Sequence, residues 1–144
     1  MHFCLVDRVI ERGTDRVVTI KHISNAEEYL RDHFPTYPVL PGVMMLEAMV
    51  QAARALLGDR EGGPFVLGKV RALKYGSFMP PGSTLRVEVK LGGVLPDGSF
   101  DFRGEGTKLG SGAPGGEDQT AVSGRFSLRP VRALAGSGLV GTGG

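Results

Sequence analysis

Cysteine is nearly absent from this chain. Cys4 is the only one in 144 residues, so neither a disulfide framework nor a cysteine metal knuckle can form within one chain. That fits a reducing compartment. A charge excess is missing too: 17 Lys and Arg against 15 Asp and Glu leave a net charge of +2. With no Lys/Arg run either, nothing points to nucleic acid as a partner. No apolar run reaches the ~18 residues of a membrane span. The N-terminus has no signal-peptide core or cleavage site, so the expectation is a cytoplasmic protein with no membrane partner. HExxH spacing, Walker and Rossmann glycine patterns and a G-x-S-x-G context are all lacking. Metalloprotease, nucleotide-binding and serine-hydrolase readings therefore have no footing, and no metal or cofactor is expected.

What is present is ordinary in bulk. Hydrophobic residues at 41% and charged residues at 22% are those of a globular protein, and the length suits one domain. No internal repeat interrupts it. The outlier is glycine, with 23 residues, many clustered. Gly110 to Gly116 reads as a long hairpin loop, and residues 131–144 as a disordered Gly-rich tail after a domain spanning 1–130.

Phe3 to Glu11 is rich in β-formers, and Arg16 to Ile23 resumes the pattern after a turn-type cluster, so the two read as a hairpin. Asn25 to Arg31 reads as a short helical or irregular turn. From Val43 to Leu57 nearly every residue is apolar, interrupted by Glu47, Gln51 and Arg54 and stopped by Gly58. Pro41 suits the first turn of that helix. A helix apolar on all sides is expected to be buried on all sides. Period-two alternation at Leu85–Leu91, Phe100–Arg103 and Val122–Leu128, with a longer strand region at Phe65–Phe78, supplies the cover. Turns fall at Pro80-Pro81-Gly82 and Asp97-Gly98. The expected fold class is α+β, an antiparallel sheet with one wet face curled around one long helix.

Two residues stand out chemically. His33 lies among prolines at 35, 38 and 41, which restrict the backbone on both sides. Its side chain exchanges a proton near neutral pH. Alone, it reads rather as a surface-loop histidine, or one satisfied by a backbone carbonyl, since most histidines are not catalytic. Glu47 is a carboxylate inside an apolar helix, where it loses solvation unless paired or protonated. It is a candidate general acid, or else a Glu facing a solvent gap or one half of an ion pair with Arg54 of its own or another chain. Gln51, four residues on, is placed to hydrogen-bond it. Gly42 opens the helix, where free N–H groups favour an oxyanion or carbonyl oxygen and a glycine admits close approach; by itself it reads as plain helix-start chemistry. Cys4 on the first strand reads as core, His22 as a sheet-face residue, and Met44, Met45 and Met49 as core packing.

Read together, His33-Phe34-Pro35-x-x-Pro38-Val39-x-Pro41-Gly42-Val43-x-x-x-Glu47-Ala48-Met49-x-Gln51 closely resembles the signature of the Z-type β-hydroxyacyl-(acyl carrier protein) dehydratases. Leu5-Val6-Asp7-Arg8-Val9, Lys69-Val70-Arg71 and Pro81-Gly82 ahead of Leu85-Arg86-Val87-Glu88-Val89 extend the resemblance over roughly residues 3 to 129. It implies a hot-dog fold and a homodimer, or a higher assembly of dimers, whose sheets join edge to edge. It implies an active site shared between subunits, with His33 from one as base and Glu47 from the other as acid. The implied reaction is dehydration of (3R)-3-hydroxyacyl thioesters to trans-2-enoyl thioesters, in fatty-acid or related lipid or polyketide biosynthesis. Gly42, Val43, Gln51, Phe34 and Pro41 are then substrate-binding residues, and the partner is acyl carrier protein bearing a phosphopantetheine-linked acyl chain.

The alternatives differ in class. A hot-dog thioesterase would use the same helix and a carboxylate without this histidine segment. A non-catalytic acyl-binding subunit would have lost His33 or Glu47. Asp32 and Thr36 stand where the family usually has Gly, and Gly76 and Ser77 where it often has basic residues. Lys69, Arg71 and Lys74 restore positive charge nearby.

Overall fold

The computed structural model describes residues 4–23, 40, 42–58, 64–110 and 116–131. The turn expected at Asn25–Arg31, most of the Gly110–Gly116 loop and the tail from 132 lie outside the described residues.

Among the described residues, alternation produces six strands: β1 (Arg8–Arg12), β2 (Arg16–His22), β3 (Phe65–Tyr75), β4 (Thr84–Val94), β5 (Phe100–Lys108) and β6 (Gln119–Pro130). They form one antiparallel sheet in the order β1-β2-β4-β5-β6-β3, which leaves β1 and β3 at the edges. Among the described residues one helix, α1 (Gly42–Leu57), packs on its inner face. This is the hot-dog arrangement.

The period of two does its work at the inner face. Leu85, Val87, Val89, Phe102, Val122, Phe126 and Leu128 all point inward and are buried against Met45, Met49, Leu56 and Leu57 of α1. The Phe102 and Phe126 rings stack with centroids 5.5 Å apart. Glycines make room where the helix comes closest: a Cβ on Gly104 would lie 2.7 Å from Met49 Sδ and 3.3 Å from the Phe126 ring. Met45 and Met49 are core residues, as expected from their spacing.

The punctuation lies where the turn residues put it. Ser83 N–H donates to Pro80 O (3.1 Å), closing the Pro80-Pro81-Gly82 turn. In the β4–β5 hairpin, Gly98 N–H reaches Leu95 O (2.9 Å), and Asp97 Oδ1 accepts from Ser99 N–H (2.9 Å). That bond holds the Asp97 carboxyl below the usual carboxylate range. Gly58 ends α1 in a left-handed cap (φ 57), with its N–H on Arg54 O.

Two expectations need correction. The first strand begins at Arg8 rather than at residue 3, and Cys4 ahead of it is exposed. Leu5 takes the buried position instead, fully covered. The helix is also not buried on all sides. Eight of its residues are buried, but Val43 is 63% exposed and the Glu47 and Arg54 side chains are 39% and 42% exposed. One curled sheet covers only part of a cylinder, and the uncovered stripe carries the polar residues.

Candidate active site

The uncovered stripe follows helical spacing. Val43, Glu47, Gln51 and Arg54 recur at intervals of four, four and three, so they share one face. Gln51 is the hinge of the arrangement. Its Nε2 donates to Glu47 Oε2 (3.1 Å), and its Oε1 accepts from the Leu5 backbone N–H (2.7 Å). A backbone N–H can only donate, so Leu5 dictates which way the Gln51 amide faces. The amide hydrogens are thereby turned to the carboxylate.

Arg54 closes the far end. Its Nη1 stands 3.7 Å from Glu47 Oε2 while its Nε donates to Phe65 O (3.1 Å), anchoring the guanidinium to the start of β3. With both side chains about two-fifths exposed, this ion pair contributes well under ~1 kcal/mol. Its effect is to orient the carboxylate.

The N-terminal end of the stripe is apolar. Leu40 N–H donates to Met79 O (2.8 Å), tying the helix entry to the segment after β3. The Tyr75 ring lies against Gly42, where a Cβ would sit 2.9 Å from Cε1 and Cζ. A side chain at 42 would have to displace the Tyr75 ring, so glycine lets the ring lie against the helix start. Val43, Tyr75 (52% exposed) and Phe78 (64% exposed) present large apolar surface at this end.

Of the residues singled out from sequence, Gly42, Val43, Glu47 and Gln51 share α1, and Glu47 and Gln51 are hydrogen-bonded. His33, Phe34 and Pro41 lie outside the described residues. Sequence reasoning passed over Leu5 and Tyr75. Leu5 acts through a backbone N–H, and Tyr75 reaches Gly42 only because β3 is an edge strand, so neither carried a pattern. Among the described residues no group of three or more His, Cys, Asp or Glu could hold a metal. No helix there is long and apolar enough to cross a membrane.

The chain is similar to proteins of known type. A family model described as ApeI dehydratase, ApeI-like, matches residues 9–113. A 3-hydroxyacyl-[acyl-carrier-protein] dehydratase FabZ of Solibacter usitatus is 41% identical over 93 residues, 62% of this chain and 57% of that protein. The FabZ of Clostridium perfringens is 39% identical over 104 residues, 69% and 73% of the two chains. The chain thus spans between 57% and 66% of the length of the first three curated relatives it matches. Among solved structures, the dehydratase heterocomplex ApeI:P of Xenorhabdus doucetiae aligns at TM-score 0.64 with 19% identity, covering 86% of this chain and 96% of that one. A hypothetical thioesterase from Streptococcus pneumoniae aligns at 0.58 with 11% identity, covering 85% and 83%. At such identities these two report the fold. The family model spans most of the chain, and this protein belongs to the ApeI-like dehydratase family.

Proposed function

We propose that this protein dehydrates (3R)-3-hydroxyacyl thioesters carried on acyl carrier protein, giving trans-2-enoyl thioesters and water. The observation that carries the reading is the oriented carboxylate: Glu47 is held by Gln51 on the one open stripe of an otherwise buried helix. In this reading His33 removes a proton from C2 of the acyl chain. Glu47 delivers a proton to the departing 3-hydroxyl. The C3–O bond breaks as the C2=C3 bond forms, and the hydroxyl leaves as water. The Gly42 N–H, at the positive end of α1, stabilises the thioester oxygen as it gains enolate character. Val43, Phe34 and Pro41 line the acyl path, and Gln51 fixes the acid.

The site is completed by a second copy in a homodimer, His33 coming from one subunit and Glu47 from the other. Supporting this are the edge position of β3 and the apolar surface of Val43, Tyr75 and Phe78 beside the open stripe. A cytoplasmic location and a role in lipid or polyketide assembly belong to the same proposal. The test is spectroscopic: crotonyl and longer enoyl thioesters, on carrier protein and on coenzyme A, are hydrated by the wild type. His33→Ala and Glu47→Gln each lower turnover by about 100-fold or more while light scattering still reports a dimer. Thioester hydrolysis without hydration, or full activity in His33→Ala, overturns the assignment.

A further inference from the structure

The outer face of the sheet carries a row of cations that the chemistry above does not use. Arg16 stands opposite Lys90, Lys90 opposite Arg103, Arg103 opposite Arg125 and Arg125 opposite Arg71, one per strand across β2, β4, β5, β6 and β3. Directly opposed residues on one sheet face have neighbouring side chains, and like charges there repel. The two ends are relieved. Arg16 bonds Glu88 and Glu11, and Arg71 donates to Asp101 (2.8 Å). The three central side chains, Lys90, Arg103 and Arg125, are exposed and make no hydrogen bond or ion pair among the described residues. Three directly opposed cations on adjacent strands, with carboxylates beside the row but none paired to them at contact distance, repel one another.

We propose that this row docks an acidic α-helix of a protein partner. The row is narrow. Glu88 and Glu105, themselves opposed, flank it on one side and Asp101 on the other. A plane of anionic lipid headgroups would meet those acids as well as the cations, whereas a single line of carboxylates meets only the cations. The spacing fits too. Cations on adjacent strands recur every ~4.8 Å, close to the ~5.4 Å rise of one helical turn. Five strands span ~19 Å, the length of a helix of about 13 residues. Shallow grooves run along the row, one lined by Lys74, Ser123 and Glu105 and one by Gly92 and Asp101 beside the cations. The sheet separates this face from α1 and Glu47, so the occupant is distinct from a carrier delivering substrate.

The probe is a labelled Ala-rich helical peptide of about 16 residues, with Glu at one position per turn along a single stripe. Fluorescence anisotropy reads its binding to the full chain at low salt. The expected result is binding that weakens as salt rises. Lys90→Ser/Arg103→Ser/Arg125→Ser then reduces affinity about tenfold or more, with thermal melting not lowered and enoyl-thioester turnover unchanged. Arg103→Ser alone gives a smaller loss, which keeps the test independent of the triple variant's folding. Equal binding by wild type and triple variant overturns the proposal. So does equal binding of a peptide with the same Glu residues scattered around the helix. Capture of anionic phospholipid vesicles or heparin without the striped peptide also overturns it.

Discussion

Replacing Gln51 is the sharpest test of how the acid is held, because its hydrogen bonds to Leu5 and to Glu47 separate into two variants. Gln51→Leu keeps the volume and removes both partners. The Leu5 N–H, on a fully buried residue, is left without its acceptor, and an unsatisfied buried donor costs about 1–3 kcal/mol. Losing the bond to the half-exposed Glu47 adds less than ~1 kcal/mol. The expected destabilisation is about 2–3 kcal/mol in all. In a chain of this size that lowers the melting temperature by roughly 8 °C. Gln51→Glu keeps an acceptor for Leu5 and sacrifices the donor to Glu47. A like-charge pair four residues apart then costs a few tenths of a kcal/mol, so this variant should lose no more than ~1 kcal/mol. Urea denaturation at one fixed protomer concentration reads both, since association shifts apparent stability. If Gln51→Glu is as destabilised as Gln51→Leu, or if Gln51→Leu melts like the wild type, then Leu5 does not set the Gln51 amide.

Three further predictions follow from geometry away from the acid. Ala72 sits in β3 at φ 53, a left-handed conformation at a bulge. Relief of ~1–2 kcal/mol against the ~0.5–1 kcal/mol of glycine's extra unfolded freedom should make Ala72→Gly about 0.5 kcal/mol more stable, read as a higher urea midpoint. Gly104→Val forces a side chain into Met49 and Phe126 and should destabilise by about 2 kcal/mol; a midpoint equal to wild type means the helix does not approach that closely. Glu88 is held below the usual carboxylate range, first by the hydrogen bond from Arg16 and further by the positive charges of Arg16, Lys90 and Arg86, against the opposing effect of burial. A depressed carboxyl stabilises the fold above its unfolded value of about 4.3, and that stability is lost as pH falls through the folded value. The wild type should therefore lose more stability than Glu88→Gln between about pH 5 and about pH 3.

The fold was readable wherever side chains alternate. Leu85, Val87 and Val89 against Arg86, Glu88 and Lys90 declare both faces of β4, and the run from Val43 to Leu57 declares the helix that the sheet encloses. The turn residues Pro81-Gly82 and Asp97-Gly98 supplied the ends. What periodicity does not register is the bulges, between Val9 and Glu11, Leu67 and Val70, Arg71 and Lys74, Leu91 and Gly93, and Gly106 and Thr107. Each shifts the register by an amount that no local pattern records. The cation row depends on that register: Lys90, Arg103 and Arg125 meet only after three strands are aligned. The open stripe was half legible. Glu47, Gln51 and Arg54 stood out as the polar exceptions in an apolar helix, and the Glu47–Gln51 bond follows from their spacing. That the sheet leaves this side uncovered is a matter of closure geometry, and the Leu5 contact comes from a backbone group with no signature of its own.

The claim that Glu47 works with a histidine from a second copy has one direct test. His33→Ala and Glu47→Gln proteins, each inactive alone, are mixed after reversible dissociation, and hydration of a crotonyl thioester is followed. In a two-fold dimer, random reassembly gives heterodimers with one intact site each, so about a quarter of wild-type activity should return. No recovery, with heterodimers present by mass, would contradict a site built from two chains.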